Sequence, residues 1–210
     1  MKNQTDFRSL GTLEPIIRDR VNFPESEFDG DFYLNPDYRD LVVRDDAKPA
    51  AVLIGLIERR EGVHVILTKR TEKLASHSGQ ISFPGGKVDE SDGSVEETAL
   101  REAQEEIGLD PGEVSVLGRM PNYFTGSRYK ITPIVASVSP DAKFEISEDE
   151  VDYMFEVPLA FLMDANNHIK ASRVFQGNER FYLEMPYQGH YIWGVTAGII
   201  RVMHDRVFSI

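Results

Sequence analysis

Cysteine is absent from this chain of 210 residues, which excludes disulfides, cysteine-ligated zinc, iron–sulfur clusters and thiol nucleophiles together. Basic residues are outnumbered, 23 against 35 acidic ones, for a formal net charge of −12. A chain so acidic lacks the basic face that a nucleic-acid backbone or an anionic membrane requires, so no nucleic-acid or membrane partner is expected. Long apolar runs are missing too. The most apolar early stretch, Pro49 to Ile57, falls far short of the roughly 20 residues that span a bilayer. The start, MKNQTDFRSL, has no apolar core and no small-residue cleavage site, and does not read as a secretory signal. A soluble, cytoplasmic protein is the expectation. Tryptophan occurs once, and core packing is the simplest role for Trp193.

What is present is ordinary globular material, 41% hydrophobic and 28% charged, at a length that fits one domain with an appendage. Residues 1–48 are polar and weakly periodic. Leu13, Ile16, Ile17 and Val21 sit at helical spacing, and FPESEFDGDFYLNPDYRD reads as an irregular connector, so these residues form an arm packed on a main domain of residues 49–210. AAVLIGLI and GVHVILTK read as two strands, QISF as a third that stops at Pro84-Gly85-Gly86. Ser94 to Ile107 is the strongest helix, with Gly108 placed to end it. VSVLGRM, ITPIVASV, VDYMFEV, HIKASRVF and RFYLEM have strand character, and TAGIIRVMHD reads as a second helix. Strands dominate without regular βαβ alternation. That order predicts an α/β protein of the α+β type, a mixed β-sheet sandwiched between helices.

On a helical wheel at about 100° per residue, with Glu102 at zero, Glu105 falls near −60° and Glu106 near +40°. Ala99, Leu100, Ala103 and Ile107 occupy the neighbouring arc, so one face is apolar and three carboxylates share another. Glu102 and Glu106 lie one turn apart and repel. A hard divalent cation would neutralise them through oxygen ligands. From composition alone, a solvated acidic helix face is the simpler reading.

The neighbouring residues change that balance. Gly86, Asp92 and then Arg101-Glu102-Ala103-Gln104-Glu105-Glu106-Ile107-Gly108-Leu109 resemble the Nudix box, whose second half is matched at every specified position. The first half departs twice: aspartate stands where glutamate is usual, and eight residues rather than seven separate it from Arg101. Upstream, Leu67-Thr68-x-Arg70, Leu74, His77, Gly79-Gln80 and Phe83-Pro84-Gly85-Gly86 resemble the extra motif of a coenzyme A diphosphatase-like subfamily. Both departures in the box resemble that subfamily as well.

The resemblance implies a Nudix fold and a hydrolase dependent on Mg²⁺ or Mn²⁺. Its small-molecule substrate would be coenzyme A or a related nucleotide. It implies Glu102 and Glu106 as metal ligands, Glu105 as a further ligand or a base acting through water, and Arg101 as the group that orients these carboxylates. Asp92 would bind Arg101 and fix the loop to the helix. Arg70 and Lys69 are either solvated charges at a strand end or the cations that meet a substrate phosphate, where a guanidinium binds bidentately. Lys73, Arg128 and Lys130 are further cationic candidates. Gly85 and Gly86 either make a turn or let the backbone approach a phosphate or metal. Glu150 is the candidate from the acidic run Glu148-Asp149-Glu150-x-Asp152, which otherwise reads as solvated. A homodimer is compatible with the resemblance. The rival functions are hydrolysis of ADP-ribose, NADH or a nucleotide sugar, or ligand binding by a catalytically silent domain.

Overall fold

The computed structural model describes residues 5–73, 78–175 and 177–209. Leu74 and His77 of the upstream motif lie outside the described residues. In chain order the elements are α1 (Leu10–Arg20), β1 (Phe28–Gly30), α2 (Arg39–Val42), β2 (Lys48–Arg59), β3 (Gly62–Arg70), β4 (Ile81–Ser82), β5 (Gly85–Lys87) and α3 (Val95–Ile107). There follow β6 (Val114–Arg119), β7 (Asn122–Phe124), β8 (Tyr129–Val138), β9 (Val151–Pro158), α4 (Leu159–Leu162), β10 (Ile169–Phe175), β11 (Asn178–Tyr187), β12 (His190–Trp193) and α5 (Gly194–Met203).

β2 is the spine of a mixed sheet. It runs parallel to β8 from Lys48↔Tyr129 to Ile57↔Val138, and pairs antiparallel with β3 through a hairpin closed at Arg59↔Gly62. Successive β2 side chains face opposite ways and both faces are buried, which explains the near-continuous apolar run. Ala51, Leu53 and Ile57 pack with Ala99, Ala103 and Ile107 of α3 on one face. Ile54 and Leu56 join Leu13 and Ile17 of α1, Met185 of β11, Ile192 of β12 and Ile199 and Ile200 of α5 on the other. The expected sandwich is therefore present, with α3 on one face and α1 and α5 on the other.

Three expectations change. β4 does stop before Pro84, but Gly85-Gly86-Lys87 then forms a further strand, paired antiparallel with Val52, Ala51 and Ala50 of β2. The connector is not wholly irregular: Phe28–Gly30 runs parallel to β7 at the sheet edge, and Pro36–Tyr38 and α2 form short helical turns. Both strands have only three residues, below what periodicity can reveal. Trp193 is not a core residue. It is half-buried on the separate sheet of β10, β11 and β12, with Tyr182 against it and the Arg173 guanidinium 4.9 Å above its ring.

Candidate active site

The termini of α3 are fixed by local chemistry. Ser94 caps the N-terminus by accepting from the Glu97 N–H, and Glu97 Oε2 accepts from the Gly93 N–H. Gly108 ends the helix at φ 65°, where a Cβ would lie 2.8 Å from the Glu145 carbonyl oxygen. That close approach docks the 145–150 segment on the helix end, with the Glu145 N–H on the Ile107 carbonyl and the Ser147 N–H on that of Glu106.

The three carboxylates sit at different depths. Glu106 is buried, its side chain 1% exposed, whereas those of Glu102 and Glu105 are 15% and 53% exposed. Arg70, at the end of β3, donates from Nη1 to Glu106 Oε1 at 2.9 Å, and the Gly85 N–H reaches Oε2 at 3.3 Å. Gly86 lies directly under Glu102: an added Cβ would sit 2.4 Å from the carboxyl carbon and both its oxygens. Only a residue without a side chain lets that carboxylate lie against the β5 backbone.

Arg101 gathers the rest. Its Nε and Nη2 make a bidentate pair with Asp92 at 2.9 and 3.0 Å, so the shorter acid on the longer loop does reach the guanidinium. Nη1 donates to Glu102 Oε1 and Glu105 Oε2, each at 3.0 Å, and Nη2 also reaches the Lys87 carbonyl at 3.1 Å. Lys69 points elsewhere, its Nζ 2.9 Å from Asp152 Oδ2. Sequence reasoning passed over Thr98 and the Lys87 carbonyl. The signal for Thr98 was a small hydroxyl one turn before Glu102, and a backbone carbonyl leaves no signal at all.

Burial pushes the Glu106 carboxyl up to about 7, with the charges of Glu102 and Glu150 adding to it and Arg70 opposing. Glu102 is raised as well, first by burial and then by Glu105 and Glu150, while Arg101 lowers it. Asp92 is held well below the usual carboxylate range by its hydrogen bonds from Arg101. The Glu150 charge thus acts on both Glu102 and Glu106.

These residues fit a divalent cation by donor chemistry. The donors are all oxygens, neighbouring carboxylate charges raise the pKa of both Glu102 and Glu106, and a glycine admits one of them to the backbone. Among the described residues no three such side chains are already gathered in ligating geometry; Arg70 holds Glu106, and Arg101 holds Glu102 and Glu105.

A sequence model of the NUDIX domain matches residues 47–176. Proteins named uncharacterized Nudix hydrolase NudL, from Cronobacter sakazakii and from Escherichia coli O1:K1, are 40% identical over 154 residues, covering 73% of this chain and 80% of each relative. Among solved structures, DR0079 from Deinococcus radiodurans has a TM-score of 0.49 at 14% identity, covering 79% of this chain and 86% of that one. The Nudix hydrolase RenU of M. smegmatis has a TM-score of 0.47 at 19% identity, over 56% and 74% of the two chains. The chain belongs to the Nudix hydrolase family. It is a hydrolase of small-molecule nucleotide derivatives, in a family that generally uses divalent metals, and among its described residues no helix is long and apolar enough to cross a membrane.

Proposed function

We propose that this protein hydrolyses the diphosphate bond of coenzyme A or an acyl derivative, giving 3′,5′-ADP and 4′-phosphopantetheine or its acyl form, with Mg²⁺ or Mn²⁺. The observation that carries the reading is the Arg70–Glu106 contact, which joins the Leu67 to Gly86 segment to the box helix across 36 residues of sequence. Arg70 and Gly85, from the segment that resembles the coenzyme A diphosphatases, both contact a carboxylate of the box, which supports the reading.

In this reading Glu102 and Glu106 would hold the divalent ion, with Glu150 as a further oxygen donor, and the ion when bound would supply charge neutralisation and a more acidic water. Arg101 keeps Glu102 and Glu105 oriented, and its anchors on Asp92 and Lys87 prevent the guanidinium from following either one. Glu105, the most exposed of the three, takes the proton of the attacking water. That water's oxygen bonds to one phosphorus, the bond from it to the bridging oxygen breaks, and the second phosphate leaves with the electron pair. Arg70 binds non-bridging oxygens of the substrate diphosphate, in the ground state as in the transition state.

The test is kcat/KM for coenzyme A, ADP-ribose and NADH under identical conditions. Coenzyme A is expected to lead by at least about tenfold, a margin worth one bidentate phosphate contact. A lead for ADP-ribose or NADH overturns the substrate and leaves the hydrolase class standing.

A further inference from the structure

Asp92 replaces the glutamate of the box and is one methylene shorter, on a loop one residue longer. A shorter side chain reaches the guanidinium only if its backbone is brought closer and its carboxylate is held at one angle. Both conditions are met by groups that the box signature does not specify. The Asp89 N–H donates to Asp92 Oδ2 at 2.9 Å and closes the loop on itself. From the helix side, Thr98 Oγ1 donates to the same oxygen at 2.8 Å. Thr98 is fully buried and makes its second contact, at 3.3 Å, to the Ser94 carbonyl. The Asp92 side chain is 5% exposed, so solvent does not substitute for a lost donor.

We propose that Thr98 is a positioning residue for hydrolysis. Its hydroxyl fixes the Asp92 carboxylate, Asp92 fixes the Arg101 guanidinium, and Arg101 fixes Glu102 and Glu105. Thr98 touches neither substrate nor the reacting atoms. The inference rests on the hydrolase class of the site and is indifferent to which nucleotide derivative is cleaved. The bidentate pair restrains Arg101 in its own plane, and the threonine bond restrains the rotation of the carboxylate that carries that plane. Without the threonine bond Arg101 keeps Glu102, Glu105 and the Lys87 carbonyl, but its Asp92 anchor is then fixed only from the loop side, by the Asp89 N–H. Displacement by a fraction of an ångström at a reacting centre lowers turnover far more than binding.

The experiment compares Thr98→Val, which keeps the shape and removes the donor, with Thr98→Ser, which keeps the donor, on the best substrate found. T98V is expected to lower kcat about tenfold with KM within about twofold, and T98S to return kcat to within about twofold of the parent. Mn²⁺ titration of the substrate-free protein by calorimetry is expected to show weaker binding in T98V and parental binding in T98S. In an Asp92→Asn background, T98V is expected to change kcat no further, because both substitutions break one path. A parental kcat and parental Mn²⁺ affinity in T98V, measured on protein with an unchanged circular dichroism spectrum, overturns the proposal whatever its melting temperature. Additive losses in the double variant overturn it as well. If T98V does not fold, Thr98→Ala takes its place: lowered kcat with weakened Mn²⁺ binding supports the proposal, and parental values of both overturn it. Failure of the parent on every nucleotide tested would count against the hydrolase reading, whereas the Mn²⁺ titration still separates T98V from T98S.

Discussion

Arg70 Nη1 lies 2.9 Å from Glu106 Oε1, so the deepest carboxylate of the site is partnered by a cation from a different motif. The guanidinium lowers the Glu106 pKa against the burial that raises it to about 7, and in the proposed reaction it is the group that meets the substrate phosphate.

Arg70→Met retains length and removes the charge. It is expected to lower kcat/KM by roughly 10- to 100-fold, chiefly through KM, which is the loss of a hydrogen bond to a charged group. The acid limb of the pH–rate profile, set by ionisation of Glu106, should move to higher pH because the main lowering influence is gone. Steady-state kinetics across about pH 5–9 reads both effects. A loss confined to kcat, with an unmoved limb, contradicts the assignment.

Adjacent glycines should fail in different ways. At Gly86 the three atoms nearest an added Cβ all belong to the flexible end of Glu102, so Gly86→Ala is expected to fold with a melting temperature near the parent and lose about 100-fold or more in kcat. At Gly85 the φ of 154° and a Cβ position 2.4 Å from the Ala51 carbonyl oxygen strain the β5–β2 pairing itself. Gly85→Ala is expected to lower stability by about 1–3 kcal/mol, read by thermal unfolding. Equal stability losses in the two variants would rule out the Gly86–Glu102 cradle.

The metal-free protein should weaken as pH rises through Glu106. A carboxyl whose folded pKa is raised from 4.5 to about 7 contributes stability below 4.5 and loses it between those values. Asp92 acts in the opposite sense: its depressed pKa contributes stability above its ordinary value of 3.8, which is lost on further acidification. A divalent ion competes with the Glu106 proton, so its stabilisation grows over the window in which the free protein loses stability. Saturating Mn²⁺ is expected to raise the melting temperature by roughly 5–10 °C near pH 8 and far less near pH 5.5. Glu106→Gln should flatten that difference. A shift independent of pH would place the ion elsewhere.

How much of this was legible in the sequence depended on the length scale of each signal. α3 was readable to its caps because thirteen residues repeat an apolar face and Ser94 and Gly108 punctuate it. β2 and β3 were readable because twelve and nine residues alternate between two buried faces. β1 and β5 hold three residues each, and β5 contains two glycines that normally mark an end rather than a strand. The identity of the acidic residues was visible, but not the full depth of each. On the wheel Glu106 lies nearer the apolar arc than Glu102, which ranks their depths, but that Glu106 is wholly buried depends on the β3 and β5 residues packed over it. Arg70 and Glu106 stand 36 residues apart, and no local pattern pairs them. Trp193 was misplaced for a related reason: a lone aromatic beside an apolar helix reads as core, whereas its strand presents it against Tyr182 and Arg173.

The most direct test is chromatographic identification of the products formed from coenzyme A by the parent and by Glu106→Gln, each with Mg²⁺, with Mn²⁺ and with chelator. Release of 3′,5′-ADP and 4′-phosphopantetheine is expected from the parent with metal, and neither product with chelator or from folded E106Q. Intact coenzyme A in every parent reaction, from folded protein that binds Mn²⁺, would contradict the proposed reaction.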